Sequence, residues 1–381
     1  MDRRFNYQFQ AVGTAGPGPV PGNAVDLGET EIEDAALREC FQTSNPLGAS
    51  WLTLSPLLTS GPAGTPFVFA EPLGHAREVK VALSGLFGRF VARAYLERYF
   101  GLSVFVHLGH SSINLAGSAY QIQRISSGDL PDWVACTAAG TDITVAEAKG
   151  CHNPTGPLKT LDRAWSQAQR VNVIANGAAT PVKRIAIATR WGIVNTNLAV
   201  PHLFVRDPLD DGDPATPDQR NILFMGMLRL HLASLIRPLG YRELATTLTE
   251  LATRGTQVTS ATRQAAHAQL ASAHTWRSPR VPPRDGMIGG IITTSGPIVG
   301  PNFTIEDQVQ MLRLGMRPAF VGVDRAVVAA ALDGDPTEAR GRMQEVGRGD
   351  GVARGDGAGT LIIRLNAQEH VTDETGSSSS T

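Results

Sequence analysis

Asp132, Glu147 and Lys149 are the residues whose types and spacing could carry out a reaction. They lie in the stretch 130–150, LPDWVACTAAGTDITVAEAKG. Trp133 to Thr137 and Ile143 to Ala148 read as two strands joined at Ala138-Ala139-Gly140-Thr141. Residues two apart on a strand share a face, so Glu147 and Lys149 point the same way and Ala148 points into the core. A turn centred between Ala139 and Gly140 sets residue 132 opposite residue 147. Their Cβ atoms would then be about 5 Å apart. Two carboxylates at that separation repel unless a cation lies between them. Lys149 is one candidate and a divalent metal is the better one. Hard oxygen donors suit Mg²⁺, which takes one or two carboxylates plus water and substrate phosphate. Such an ion stabilises charge on a scissile phosphate and lowers the pKa of a bound water. A lysine beside it can orient that water or neutralise the developing oxyanion.

The elements that must position this hairpin are legible on either side. From Glu78 to Phe100, apolar residues recur at three- and four-residue spacing, one face of a helix closed by Gly101. Ser103–Leu108 reads as a strand and Tyr120–Ile125 as a short one. Pro157 opens a helix expected to run to about Ile174, and Lys183–Thr189 alternates as a further strand. With the short Tyr120–Ile125 stretch set aside, the order is helix, strand, strand, strand, helix, strand.

Pro131-Asp132, a hairpin, then Glu147-Ala148-Lys149 resembles the signature of the PD-(D/E)XK nuclease superfamily, which includes many restriction and defence nucleases. The resemblance spans residues 80–190. It implies an α/β, restriction-endonuclease-like fold with an α-β-β-β-α-β core and Mg²⁺- or Mn²⁺-dependent hydrolysis of DNA. On that likeness Asp132, Glu147 and the Ala148 carbonyl would hold the metal and Lys149 would be the catalytic lysine. Glu97 would be the glutamate that many members add from the first helix, and Gln167 or Gln169 the polar residues some use on the following one. A homodimer is expected, since duplex cleavage by such enzymes often needs two sites. A role in restriction or anti-phage defence, with a partner protein, follows from the superfamily's habits together with an arginine-rich, lysine-poor, Gly-Ala-Pro-rich composition like that of a GC-rich bacterium. The rival reading is a catalytically silent nuclease-like module for DNA binding or assembly.

Composition bounds these expectations. The chain has 381 residues with 42% hydrophobic content, enough for two structural units. The formal net charge of −1 means that any DNA-binding surface must come from local clustering of cations. Lysine stands at only four positions, 80, 149, 159 and 183, against thirty arginines. One of those four falls at the place the chemistry requires. Lys159, Arg163, Gln167 and Arg170, after the hairpin, and Arg277 and Arg280, beside Trp276, are candidate nucleic-acid contacts. Cys40, Cys136 and Cys151 fit neither a disulfide framework nor a zinc pair. His107, His110 and His152 read as structural. The N-terminus lacks a signal peptide's apolar region and no apolar run suggests a membrane span, so the expectation is a cytoplasmic protein with no membrane partner. The expected divisions are an N-terminal arm and irregular segment (1–75), the nuclease core (76–206), a mainly helical C-terminal region (207–366) with a helix at 305–314 and a Gly-rich flexible loop at 341–359, and a disordered tail (367–381).

Overall fold

The computed structural model describes residues 2–12, 18–43, 68, 77–109, 111–153, 156–192, 200–208, 216–277, 286–293, 296–298, 319–346, 353–355, 357–364 and 372–373. The chain divides into two compact units: residues 1–39, 53–114 and 118–220 form the first; residues 40–52, 115–117 and 221–381 form the second.

The first unit is built on a seven-stranded mixed sheet in the order β2-β1-β11-β10-β7-β6-β3. Its strands are β1 (Asp2–Ala11), β2 (Ala24–Gly28), β3 (Leu102–His107), β6 (Trp133–Thr137), β7 (Thr144–Cys151), β10 (Lys183–Arg190) and β11 (His202–Asp207). At one end of the sheet, β3, β6 and β7 run antiparallel, each to the next, and β10 lies parallel to β7. Helix α3 (Pro157–Ala168) makes that parallel crossover, helix α2 (Arg77–Phe100) precedes β3, and α1 (Glu29–Thr43) follows β2. The β6–β7 pairing places Trp133 opposite Ala146 and Ala135 opposite Thr144, the register expected from the turn position.

Two helices cover opposite faces of β7 and β10. On one face Ala186 and Ala188 pack with Leu161 and Ala164 of α3. Gly150 is paired with Thr189, of opposite parity to Ala188, and meets α2 on the other face. That contact is backbone on backbone. A Cβ at Gly150 would lie 1.7 Å from the Ser84 carbonyl oxygen, and one at Gly88 only 2.8 Å from Gly150 Cα. Two glycines therefore let α2 lie directly on β7, one residue from Lys149 on the strand and one from Arg89 on the helix.

Several expectations are corrected. Residues 1–75 are not only an arm: β1 and β2 extend the main sheet, with Phe5 and Tyr7 buried on alternate positions. The helix expected to reach Ile174 stops at Ala168, because Val171–Ala175 forms β8. It pairs with β5 (Tyr120–Arg124) in a separate sheet, β4-β5-β8-β9, completed by β4 (Ile113–Leu115) and β9 (Ala178–Thr180). Asn176 and Gly177, both at positive φ, supply the tight turn into β9.

The second unit is mixed α/β, not mainly helical. Helices α4 (Pro217–Ile236, whose first turn belongs to the first unit), α5 (Arg242–Arg254), α6 (Ser260–Ser272), α7 (Arg325–Asp333) and α8 (Pro336–Val346) occur with a seven-stranded sheet. Its strands are β12 (Thr275–Arg277), β13 (Met287–Thr293), β14 (Gly296–Ile298), β15 (Ala319–Asp324), β16 (Ala353–Gly355), β17 (Thr360–Arg364) and β18 (Thr372–Asp373). The expected Gly-rich loop thus contains the end of α8 and the whole of β16, which pairs with β17. The helix expected at 305–314 lies outside the described residues. So does most of the expected disordered tail, in which Thr372–Asp373 forms β18. No described helix is long and apolar enough to cross a membrane.

The glycine contact sets a paired test. Gly150→Ala should cost about 1–3 kcal/mol or more, because backbone and not a flexible side chain must move. Gly85→Ala, whose Cβ would meet nothing within 4 Å inside α2, should stabilise by roughly 1 kcal/mol. Urea unfolding of both variants decides; similar small effects at the two sites would contradict the close approach.

Candidate active site

Asp132 immediately precedes β6 and Glu147 sits within β7. Each is tied to the backbone beside the other. The Asp132 N–H donates to Glu147 Oε2 at 2.9 Å, and the Ala148 N–H donates to Asp132 Oδ2 at 2.9 Å. The segment before them is held as well: the Leu108 N–H donates to the Asp132 carbonyl, and the Gln167 amide donates to the Leu130 carbonyl across Pro131.

One oxygen of each carboxylate is left for side-chain cations. Lys149 Nζ pairs with Glu147 Oε1, and Arg89 Nη1 of α2 lies 3.2 Å from Asp132 Oδ1. Glu147 is fully buried and the Asp132 side chain is 13% exposed, whereas those of Lys149 and Arg89 are 35% and 28% exposed. The carboxylates are fixed by backbone within the fold, and the cations reach them from the solvent side.

Behind Arg89 the charges continue to alternate. Glu39 of α1 receives Arg89 Nη2 on Oε1 at 2.5 Å and Arg93 Nη1 on Oε2 at 3.1 Å. The Trp133 indole N–H also donates to Glu39 Oε2, and His107 Nε2 lies 3.3 Å from it. Arg93 and Arg38 then share Glu97.

These neighbours set the protonation states. Burial, reinforced by the Asp132 charge, pushes the Glu147 carboxyl up to about 8 despite Lys149. Burial also raises Asp132, with Arg89 and the Ala148 N–H opposing. For Glu39 burial works upward, yet His107, Arg89 and Arg93 hold it below the usual carboxylate range. Burial lowers the His107 imidazole, and Glu39 offsets only part of that. The metal-free centre therefore prefers to carry a proton on the Asp132–Glu147 pair, a state that a divalent cation would reverse.

The residues expected from the sequence divide clearly. Asp132, Glu147, Ala148 and Lys149 come together. Glu97 does not join them, because its carboxylate is engaged by Arg93 and Arg38. The helix glutamate linked to Asp132, through Arg89, is Glu39, which sequence reasoning missed along with Arg89. Gln167 is buried and spent on the Leu130 carbonyl, so it is not placed to meet nucleic acid. Arg170 donates to the Asp129 carbonyl at 2.8 Å. Lys159 and Arg163 are exposed on α3, as is Gln169 at its end. Arg277 lies in β12 of the second unit, and Arg280 is outside the described residues. Among the described residues, no group of three or more His, Cys, Asp and Glu side chains is arranged to hold a metal. What the centre offers is two carboxylates with one oxygen each on an exchangeable cation, a hard donor set suited to Mg²⁺ or Mn²⁺.

Comparison with protein-family models, curated proteins and solved structures finds no match to this chain.

Two outcomes are expected. Glu147, with a folded-state value of about 8 against an ordinary 4.5, binds its proton more tightly when folded. Its contribution to stability is full below about 4.5 and is lost as pH rises through about 8. In EDTA, stability should fall over that window, and the fall should flatten in Glu147→Gln; an equal slope in the variant would show that Glu147 is not its source. Glu39→Ala takes one carboxylate partner from each of two arginines, Arg89 and Arg93, and the acceptor from the Trp133 indole, and should cost roughly 3–5 kcal/mol. Glu97→Ala should cost clearly less, because Arg93 keeps Glu39. Equal losses on chemical unfolding would contradict the central place given to Glu39.

Proposed function

We propose that the first unit is a restriction-endonuclease-like domain that hydrolyses DNA phosphodiester bonds with Mg²⁺ or Mn²⁺. The observation that carries this is the crossed pair of carboxylates, Asp132 and Glu147, each anchored to the other's strand with Lys149 beside them. The strand order supports it: antiparallel β3, β6 and β7, a helical crossover, then β10 parallel to β7, preceded by α2. Asp132 and Glu147 would hold the ion, with the Ala148 carbonyl as a third oxygen. Bound there, it would supply Lewis acidity and a water of lowered pKa.

The chain's own groups do the rest. Because Asp132 and Glu147 are oriented by backbone N–H groups, they need not reorganise when the cation arrives. Lys149, released from Glu147, keeps a two-residue tether on the same strand face and so stays within reach of the attacking water or the leaving oxyanion. The exposed Lys159 and Arg163 on α3 are available for backbone phosphates. A homodimer would present two such centres to a duplex, and restriction or anti-phage defence is the setting proposed.

One observation favours a second reading. Each carboxylate already has a side-chain cation against it, Lys149 on Glu147 and Arg89 on Asp132, and no third acidic side chain joins them among the described residues. A silent module that binds DNA or assembles with a larger complex would need nothing more.

Supercoiled plasmid incubated with Mg²⁺, Mn²⁺ or EDTA separates the two. The enzyme should nick or cut only with metal, and Lys149→Ala should slow it about 100-fold or more. Cleavage that survives Lys149→Ala would remove the hairpin from the mechanism. Wild-type protein that binds plasmid but neither takes up Mn²⁺ nor cuts it would leave the module.

A further inference from the structure

Arg89 is held asymmetrically. Its Nη2 edge is anchored: 2.5 Å from Glu39 Oε1 and 3.3 Å from His107 Nδ1, with the guanidinium carbon 5.4 Å from the centre of the Trp133 ring. Glu39, with its side chain 2% exposed, is itself gripped by Arg93 and Trp133. Among the described residues the Nη1 edge has a single partner, Asp132 Oδ1 at 3.2 Å. That oxygen is the one Asp132 does not spend on the Ala148 N–H. The helix carrying Arg89 packs backbone to backbone on β7, where a Cβ at Gly88 would lie 2.8 Å from Gly150 Cα.

We infer that Arg89 is the internal counter-ion that a divalent cation displaces from Asp132, and that the displaced guanidinium edge then binds the phosphate of the substrate. This rests on the proposed nuclease reading and assigns a residue that the sequence did not single out. A cation on Asp132 would take the acceptor that Nη1 has among the described residues and would repel the guanidinium. Glu39, His107 and Trp133 prevent it from leaving. A partly exposed arginine with a fixed back edge and an orphaned front edge calls for an oxyanion. A phosphodiester supplies one, with oxygens spaced for the planar fork. Arg89 would then face the charge that grows on the phosphate during attack, where a preorganised donor is most effective. Lysine would lack the planar fork: its ammonium is a point charge on a flexible stem and does not present a fixed edge to a phosphate while another edge stays on Glu39.

The variants are Arg89→Met, which keeps bulk against Trp133, and Arg89→Lys, which keeps charge without the fork. Two readouts are needed: Mn²⁺ affinity without DNA, by titration calorimetry, and plasmid cleavage at saturating Mn²⁺. Removing one neighbouring like charge should tighten Mn²⁺ binding about tenfold in Arg89→Met. Cleavage should nevertheless fall about 100-fold or more; in Arg89→Lys, which keeps the charge but not the fork, Mn²⁺ affinity should stay near that of wild type while cleavage falls. Mn²⁺ binding that is unchanged or weaker would overturn the counter-ion role, and cleavage within threefold of wild type would overturn the phosphate role. If Arg89→Met does not fold by circular dichroism, Arg89→Gln, which also removes the charge, carries the same two comparisons. A wild-type protein with neither Mn²⁺ binding nor cleavage defeats the nuclease reading itself. Wild type active in both, with variants departing from the pattern, defeats only the role of Arg89.

Discussion

Two carboxylates facing one another across neighbouring strands repel, and burying them makes the repulsion worse. The first unit answers this with a crossed pair of hydrogen bonds, from the Asp132 N–H to Glu147 and from the Ala148 N–H to Asp132. Each carboxylate gains a backbone donor from the opposite strand, so the acids and the strand pairing support one another. What the backbone does not neutralise must come from side-chain cations. That requirement brings in Lys149 from the same strand and Arg89 from α2, and through Arg89 it brings in Glu39 from α1. Much of the helix arrangement around the sheet can be understood as delivery of those charges.

The delivery depends on closeness. A side chain of ordinary size at position 88 or 150 would push α2 off β7, and the Arg89 guanidinium would no longer reach both Glu39 and Asp132. The two glycines sit next to the two cations in sequence, so the contact that sets the distance between helix and strand also sets the distance between cation and acid. Packing and electrostatics are here one constraint.

How much of this could be read beforehand follows from the range of each interaction. The hairpin register was legible because it depends on local alternation and on the turn at Ala139-Gly140, and the observed pairing of Trp133 with Ala146 agrees with it. The helix at 77–100 and the order of the central elements were legible from periodicity. Glu97 looked suitable because it lies on that helix, yet helical spacing also sets Arg93 four residues before it, and that local pair takes its carboxylate. Glu39 was invisible: it lies 93 residues before Asp132 in the chain, and nothing in its neighbourhood announces its partner. The Asn176-Gly177 turn was a signal available and passed over; it marks β8, where a longer helix had been expected. In the second unit, strands such as Met287–Thr293 contain paired glycines and lack clean alternation, which hid the sheet while the neighbouring helices stood out.

The buried run Glu97–Arg93–Glu39–Arg89–Asp132 is costly as a way of holding helices together. Apolar residues of equal volume often stabilise a fold as well or better, because desolvating ions consumes most of what their attraction returns. Arg93 and Glu39 are almost wholly inaccessible, so their desolvation is nearly complete. Such a run makes better physical sense if its end is used than if it serves only as packing. On the proposed nuclease reading, the charge on Asp132 would have to be balanced without a metal and released to one, and a guanidinium held from behind could do both. Stability sacrificed along α1 and α2 would then appear as a centre whose donors already face the position of the incoming ion.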